Sequence, residues 1–323
     1  MAFKLVLVAP LLLASAAVTA AFVQKSPIHA SITRQTCRSP SSRLQATAVD
    51  AIASLSSSQA ATVQTIAAAI PDLEVKPDFC WNGEAVAGSS ATLDARDAPG
   101  PANIAWLSAL SVDSKLVSLT IFNGPLTDVP HLVSRCVVIN ESTMRLTLDA
   151  RPRSNGGWEM RREDGSYPGP DELGRQAFEF SGNRMDFEKK FGTEELKSFL
   201  SGLVSSLEGA TPYIAPASDL DKLTRGPLYT CLEMPVTDSN VAAVVAAREK
   251  MADIWLSWAK DPAHDHRPGA PVNTQYVYDT KFKQNAYGSL LEEYSALFGP
   301  QDGQRLAVGE SGPLDEAYVG GGS

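Results

Sequence analysis

The sequence predicts an α/β fold: a three-layer α/β/α sandwich with a central antiparallel sheet and helices on both faces. Three observations predict it. A helical pattern comes first, a group of short strand-like runs separated by Gly, Pro, Asn and Asp follows, and further helical patterns close the chain. Strands grouped between helices are typical of one antiparallel sheet covered by helices.

The first helix is predicted over residues 50–70. Its apolar residues recur at helical spacing, and Pro71 ends the pattern because proline cannot continue a helix. Gln59 interrupts the stripe at a position where an apolar residue is expected. The apolar positions are Ile52, Leu55, Val63, Ile66 and Ile70.

The sheet is predicted from five short runs that are rich in β-branched residues or alternate in polarity. Their spacing favours an antiparallel meander. Asn140-Glu141-Ser142 is predicted as the hairpin turn between two of the strands. The runs are residues 91–95, 104–112, 116–122, 136–139 and 144–148.

The second half of the chain returns to helix after a Gly-, Pro- and charge-rich surface insertion at residues 154–185. A strand is predicted at residues 229–234. Helices are predicted at 194–207, at 238–260 with Asp238 or Ser239 as the N-terminal cap, and at 287–298, where Gly299-Pro300 is taken as a stop. Residues 301–323 are predicted as a flexible tail. Residues 50–300 would form a single domain.

The first 49 residues carry a targeting pattern. Lys4 and the apolar run behind it, ending in the small residues around Ala20, are typical of a signal peptide over residues 1–21. Residues 22–49 are basic, rich in Ser and Thr, and free of acid until Asp50, as in a transit peptide. This two-part presequence predicts delivery to a plastid, the chloroplast stroma. The alternative is a secreted protein with a disordered basic N-terminus.

Composition narrows the classes of partner. The whole chain carries −9, and the mature chain carries −14 because five basic residues and no acid precede Asp50. Such an acidic chain is not expected to bind nucleic acid or an anionic membrane, and the apolar leader is too short for a span, so the mature protein is not expected to be transmembrane. Neither dinucleotide nor nucleotide-phosphate motifs occur, so no bound cofactor is predicted.

No metal site is predicted either. The cysteines form no C-x-x-C pair, and His264-Asp265-His266 has two-ligand spacing in a polar loop with no third ligand nearby.

Several short segments resemble one protein family. Asp128-Val129-Pro130-His131-Leu132, and after a spacer Leu148-Asp149-Ala150-Arg151-Pro152-Arg153, are similar to a paired motif of red chlorophyll catabolite reductases and the wider ferredoxin-dependent bilin reductases. Further matches, spread between residues 89 and 299, are Thr211-Pro212-Tyr213-Ile214-Ala215-Pro216, Trp255-Leu256, Tyr278-Asp279-Thr280-Lys281-Phe282 and Leu297-Phe298-Gly299.

The resemblance implies a chemistry. Members of that family take single electrons from reduced ferredoxin, an external donor, and reduce a linear tetrapyrrole that lies between the sheet and the C-terminal helices. Carboxylates beside the substrate hand over protons. A positioned acid of this kind is worth roughly 10²–10⁴ in rate. The implied partners are therefore ferredoxin and a linear tetrapyrrole, and a homodimer is one assembly that the sequence leaves open. A ferredoxin docking site should be basic, so the acidic net charge of the mature chain argues against such a partner.

The chain departs from the family at the proton donors. The sheet carboxylate of the family falls on Arg135, and the second carboxylate would fall within residues 285–289, where there is no acid. One interpretation is that nearby groups substitute, with His131, Asp128 and Asp279 as catalytic candidates. A second interpretation is that Arg135 holds a propionate or carboxymethyl group, and that the protein binds a tetrapyrrole without reducing it. The substrate-binding candidates are Arg135, Asp149, Arg151 and Arg153. A third interpretation is that the register differs by a few positions.

Each candidate also has a structural explanation. Asp128 before Val-Pro suits a turn, His131 suits a satisfied core histidine, and Asp279 suits a helix cap or a pair with Lys281. Arg151 and Arg153 suit a solvated strand edge or a clamp for carboxylates.

Three functions remain open. The first is ferredoxin-dependent reduction of red chlorophyll catabolite in chlorophyll breakdown. The second is non-catalytic tetrapyrrole or pigment binding on the same fold, which the missing carboxylates favour. The third is a bilin reductase acting on biliverdin.

Overall fold

A computed structural model describes residues 47–100, 102–153, 187, 190–214, 218–264 and 272–314. The targeting segment up to residue 46 and the whole predicted insertion at residues 154–185 lie outside these residues. The strands are β1 Glu74–Val75, β2 Trp81–Val86, β3 Ser89–Ala98, β4 Ile104–Val112, β5 Leu116–Asn123, β6 His131–Asn140, β7 Thr143–Arg151, β8 Thr211–Pro212 and β9 Thr230–Pro235. The helices are α1 Ala48–Ala69, α2 Glu194–Ser206, α3 Asp219–Thr224, α4 Asp238–Ala259, α5 Val272–Phe298 and α6 Pro300–Ser311, with short 3-10 turns at Pro77–Phe79 and Pro262–His264.

The described strands form one antiparallel sheet in the order β1-β3-β4-β5-β6-β7-β9-β8, and β2 also pairs with β3. The predicted meander is therefore confirmed. Its predicted hairpin turn is also confirmed, because Asn140 pairs with Thr143 and its side-chain oxygen accepts a hydrogen bond from the backbone N–H of Ser142 at 3.0 Å.

Helices cover both faces of the sheet, which confirms the predicted three-layer sandwich. Because successive side chains of a strand point to opposite faces, each strand contributes to two separate cores. The first face packs against α1, α2 and α4. The second face packs against α5 and α6. The cavity described below opens on the second face.

Helix α1 shows why a polar residue interrupts its apolar stripe. Gln59 is buried against the sheet, where its amide donates to the carbonyl of Leu110 at 3.3 Å and accepts from the guanidinium of Arg248 at 2.5 Å. Arg248, on α4, also donates to the hydroxyl of Ser134 at 3.1 Å. Burial lowers the pKa of Arg248 to about 10. Gln59 thus supplies an acceptor for a buried cation where α1, α4 and the sheet meet.

Replacing Gln59 by leucine is expected to lower the free energy of unfolding by about 1–2 kcal/mol, because Arg248 loses an acceptor inside the core. Urea unfolding of the purified chain measures this. Gln64→Leu, on the exposed side of the same helix, is the matched control and should change little. Equal losses in both variants would contradict the role given to Gln59.

The C-terminal helices differ most from the sequence prediction. Helix α5 begins at Val272, not at residue 287 as predicted. The prediction missed its first half because that half is polar and shows no clear apolar stripe. The flexible tail predicted from residue 301 is wrong for α6, whose inner side is buried. Gly299-Pro300 predicts a stop, but proline is also favoured in the first turn of a helix, and here Pro300 begins α6.

Smaller differences concern caps and ends. Thr237 caps α4, in place of the predicted Asp238 or Ser239. Its hydroxyl accepts a hydrogen bond from the backbone N–H of Asn240. Strands β6 and β7 each extend beyond their predicted ends.

Helix α6 lies very close to α5. A Cβ atom added at Gly303 would come within 2.5 Å of the backbone nitrogen of Ser295 and 2.7 Å of the carbonyl carbon of Tyr294. Only glycine allows this approach. The consequence is that the end of α6 reaches the second face of the sheet, where the hydroxyl of Ser108 donates to the carbonyl of Glu310 at 3.0 Å.

Candidate functional site

A cavity of about 310 Å³ lies between the second face of the sheet and helix α5. Strands β5, β6, β7 and β9 form its floor, α5 forms one wall, and α3 with the segments beside it forms another. Its apolar lining includes Phe122, Val133, Ala286 and Leu290. The volume falls in the range of small-molecule sites, which is roughly 300–1,000 Å³.

Strand register brings the basic residues of the site to this face. Residues that alternate along a strand share a face, and so do residues directly opposite each other in an antiparallel pair. His131 and Arg135 of β6 therefore lie on the same face as Arg151 of β7, which pairs with His131. Arg145 of β7 lies on this face too, three alternations before Arg151.

Arg135 is the centre of a buried ion cluster. Its guanidinium bonds Oε1 of Glu310 at 2.5 Å and Oε2 of Glu293 at 2.7 Å. Glu310 also accepts from the hydroxyl of Thr120 at 2.7 Å and, in a short contact, from the hydroxyl of Tyr294. We call these five residues the Glu310 cluster. Glu310 is fully buried, whereas the side chain of Glu293 is 32% exposed.

The electrostatics of the Glu310 cluster define its protonation. Burial opposes the ionisation of Glu310, yet the charge of Arg135 and the hydrogen bonds to Tyr294, Arg135 and Thr120 leave its pKa lowered. The pKa of Tyr294 is raised well above its usual value, first by burial. The pKa of Arg135 is also raised: burial opposes its charge, but Glu310, Tyr294 and Glu293 outweigh burial. At neutral pH Glu310 is ionised, and Arg135 and Tyr294 keep their protons.

Asp149 and Arg151 form a second buried pair. One carboxylate oxygen of Asp149 accepts from Nε of Arg151 at 3.0 Å, and both accept from the backbone N–H of Gly226. Burial raises the pKa of Asp149, against the lowering effect of Arg151. Arg151 lines the cavity, and within the described part of the chain its two terminal nitrogens bond no protein acceptor. Asp149 therefore orients a guanidinium whose outer donors remain available.

His131 lies beside the cavity and not in its lining. Its Nδ1 accepts from the backbone N–H of Asn123 at 3.0 Å, and its ring lies 4.6 Å from the ring of Phe282 and 5.5 Å from that of Phe122. Burial, and then the charges of Arg153 and Arg151, lower its pKa well below the usual value. His131 is therefore neutral, and its Nε2 carries the hydrogen because Nδ1 is an acceptor.

The two remaining acidic candidates are each held by a cation. Asp279 of α5 accepts from Arg153 at 2.6 Å, and Arg153 also donates to the carbonyl of Gly124 at 2.8 Å. Asp128, on the connection between β5 and β6, accepts from Lys190 at 2.7 Å. Asp128 is not among the described residues of the cavity lining.

Two further arginines line the cavity and were not singled out from the sequence. Arg145 donates to Glu233 at 2.7 Å and lies over the ring of Tyr213, with 3.6 Å between its Cζ atom and the ring centroid. Arg225 pairs with Asp221 and lies over the ring of Tyr229 at 4.3 Å. Arg145 could have been found from the sequence, because it is an even number of residues from Arg151 along β7 and therefore shares its face of the sheet.

The structure thus brings most sequence candidates into one region. Arg135 and Arg151 line the cavity, Asp149 holds Arg151, and His131 lies next to them with the pair Arg153–Asp279. Sequence reasoning missed Glu293, Tyr294 and Glu310. The combination of an apolar lining with oriented guanidinium groups suits a largely apolar molecule that carries carboxylates.

The described residues contain no group of three or more His, Cys, Asp or Glu side chains placed to hold a metal ion. The side chain of His264 and residues 265–266 lie outside the described part. No described helix has both the length and the apolar character needed to cross a lipid bilayer.

Comparison with known proteins yields a remote likeness of fold. No protein-family model matches the sequence, and no curated protein matches it. Among solved structures, the chain is similar to phytochromobilin synthase from tomato, whose crystal structure was determined in complex with biliverdin. The TM-score is 0.47 and the identity is 13%, over 78% of this chain and 85% of that one. This likeness is remote and concerns the arrangement of sheet and helices alone.

Proposed function

We propose that this chain binds a linear tetrapyrrole in the cavity and reduces it with electrons from ferredoxin. The first candidate substrate is red chlorophyll catabolite, the ring-opened product of pheophorbide, and the second is biliverdin. The observation that carries the proposal is the cavity itself, where apolar side chains lie beside Arg135, Arg145 and Arg151. The targeting segment supports a plastid location, where ferredoxin would be the donor.

The dimensions support a long ligand. Arg145 and Arg151 stand six residues apart on β7, so their Cα atoms are separated by roughly 20 Å at about 3.4 Å per residue. A linear tetrapyrrole is an extended, largely apolar chain of four rings with acidic side groups. One acidic group could reach the outer donors of Arg151 while the rings lie against Phe122, Val133 and Leu290.

The reduction needs two electrons and two protons for each double bond. Two reduced ferredoxins supply one electron each, and the protons come from groups beside the ligand. Glu293 is placed for this role because it lines the cavity and its side chain is exposed enough to regain a proton from water. Burial raises the pKa of Asp149, as a proton donor requires, but its oxygens face Gly226 and Arg151.

A specific observation favours binding without reduction as the second candidate. Glu310, the most deeply buried acid of the cavity lining, is held ionised by Arg135 and so carries no proton to give at neutral pH. Of the two carboxyl groups in the Glu310 cluster, Glu293 would then have to deliver the proton.

One experiment separates these candidates. The purified chain is mixed with reduced ferredoxin and either red chlorophyll catabolite or biliverdin, and absorbance is followed. Loss of conjugation in one pigment supports the reductase and identifies the substrate. If a pigment binds tightly but its absorbance does not change when reduced ferredoxin is added, the result supports binding without reduction. No binding of either pigment would overturn both.

Replacing Arg151 by glutamine is expected to weaken pigment binding by about tenfold, because a charge-assisted hydrogen bond contributes about 1.5 kcal/mol or more. Fluorescence quenching or absorbance titration measures the dissociation constant. Arg96→Gln is the matched control, since Arg96 of β3 pairs with Asp94 and is not among the described residues of the lining. Equal affinities in both variants would remove Arg151 from the site.

A further inference from the structure

Three fully enclosed side chains next to the cavity share an unusual feature. His131, Arg153 and Asn123 are each at most 3% exposed. Within the described part of the chain, Nε2 of His131, Nε and Nη1 of Arg153 and Oδ1 of Asn123 have no hydrogen-bond partner. Buried polar groups are nearly always paired, so four such atoms in neighbouring residues require an explanation. We call these residues the donor cluster.

The three residues are joined through their other polar atoms. The backbone N–H of Asn123 donates to Nδ1 of His131, and its amide group donates to the carbonyls of Val129 and Pro130. Nη2 of Arg153 donates to the carbonyl of Gly124, the next residue along from Asn123. The charge of Arg153 also acts on His131. The bonded atoms hold each side chain in place, while the remaining polar atoms have no partner within the described part of the chain.

Most of the unpartnered atoms are donors. His131 offers one N–H because its Nδ1 is an acceptor, and Arg153 offers the N–H groups of Nε and Nη1. A group that satisfies these three donor atoms, two of which belong to the cationic guanidinium of Arg153, must be rich in acceptor oxygens, and a negative charge on it strengthens the bonds. A carboxylate has two oxygens and about four lone-pair sites, which fits this demand.

The cavity provides the route to the donor cluster. Phe122 lines the cavity and its ring contacts His131, and Arg151, opposite His131 in the sheet, also lines it. A carboxylate on a flexible side group could pass Phe122 while the rest of its molecule stays in the cavity.

We propose that the donor cluster is a carboxylate-binding subsite, and that a carboxylate bound there brings one proton onto His131. This deepens the proposed function, on which it rests for the identity of the natural ligand. The charges that act on His131 come from Arg151 of β7 and from Arg153 just after it. Arg153 in turn donates to Asp279 of α5. A carboxylate between His131 and Arg153 would place a negative charge next to the imidazole and oppose the effect of these two cations. It would therefore favour the imidazolium, which then becomes a proton donor beside the ligand.

Nitrogen NMR of the ¹⁵N-labelled chain tests the proposal. The sequence has four histidines, so His131→Gln assigns the signals of His131. The probe is sodium formate, with sodium chloride at equal ionic strength as control. Formate is expected to shift the Nε2 signal and to raise the titration midpoint of His131 by about one pH unit or more. Chloride producing the same change, or formate producing none, would overturn the carboxylate subsite.

Two variants separate binding from general charge effects. In Arg153→Gln the midpoint of His131 should rise without any ligand, because a nearby positive charge is gone, and formate should bind at least tenfold more weakly. Arg96→Gln, the same substitution outside the cavity, should behave as the unmodified chain. If Arg153→Gln does not fold, Arg153→Lys keeps the charge and removes the planar donors, and formate binding should still weaken.

The source of the carboxylate is found with two pigments. Biliverdin carries two propionates, and its dimethyl ester carries none. A rise in the His131 midpoint with biliverdin but not with the ester assigns the subsite to a tetrapyrrole carboxylate. A rise with formate alone keeps the subsite, assigns it to small carboxylates and counts against the proposed function. If biliverdin and its ester change the titration midpoint of His131 equally, the pigment does not act through a carboxylate in this subsite.

Discussion

Arg135→Met is expected to lower the free energy of unfolding by about 3–5 kcal/mol at neutral pH, the usual cost of removing one partner from a buried ion pair. The substitution leaves Glu310 ionised in an enclosed position, where Thr120 and Tyr294 remain as its side-chain donors among the described residues. Chemical unfolding at fixed pH measures it.

The same substitution should reverse the pH dependence that Glu310 contributes. In the unmodified chain the pKa of Glu310 lies below its ordinary value of 4.5, so its stabilisation is complete above pH 4.5 and is lost as pH falls through the lowered pKa. Without Arg135, burial dominates and the pKa of Glu310 rises above 4.5. The variant should therefore lose stability as pH rises, and be relatively most stable in acid.

A double mutant provides the control. Arg135→Met combined with Glu310→Gln removes both charges, and it should recover a large part of the loss seen in Arg135→Met alone. If Arg135→Met lowers the free energy of unfolding by less than about 1 kcal/mol at neutral pH, the pair Arg135–Glu310 does not behave as a buried ion pair.

Gly303→Ala is expected to lower the free energy of unfolding by about 3 kcal/mol, the upper part of the range for overpacking, because the new methyl group meets backbone and not a flexible side chain. Helix α6 would have to move away from α5. Since α6 carries Glu310, pigment binding should weaken in the same variant. Thermal unfolding and pigment titration measure the two effects.

The matched control is Gly202→Ala in α2. A Cβ atom there meets nothing within 4 Å, and the residue is exposed in a helix. Alanine should therefore stabilise α2 by about 0.5–1 kcal/mol relative to glycine. Opposite signs for the two Gly→Ala changes would locate the effect at the contact between α5 and α6. A loss of stability at both positions, or at neither, would contradict it.

Local patterns predicted the parts of the fold that depend on neighbours in sequence. Strand β4 was predicted with its observed ends, and α1 within a few residues, because alternation and helical spacing report burial directly. The start of α5 was missed because polar residues such as Lys281 and Lys283 obscure its buried side. Helix α6 was missed because Gly299-Pro300 can either end one helix or begin the next.

The site shows a different limit. The resemblance directed attention to Arg135 and Arg151, and both line the cavity. It gave no hint of Glu310, since a contact between residues 175 positions apart leaves no local pattern. Asp128 illustrates the converse: it stands inside the motif, yet its observed partner is Lys190, on the segment that precedes α2. Spacing along the chain indicates which residues share a strand face, but not which acid from a distant helix meets them.

The late position of Glu310 has a consequence for the chain as it is synthesised. Strands β3 to β7 can pair once residue 151 has left the ribosome, but Arg135 then faces the second side of the sheet without its buried counter-charge. At about 5–20 residues per second, Glu310 follows Arg135 after roughly 10–35 s. Until then the second face cannot close. The nascent protein would have an incomplete, water-filled floor where the ligand later lies, and it could not take up pigment before α6 docks.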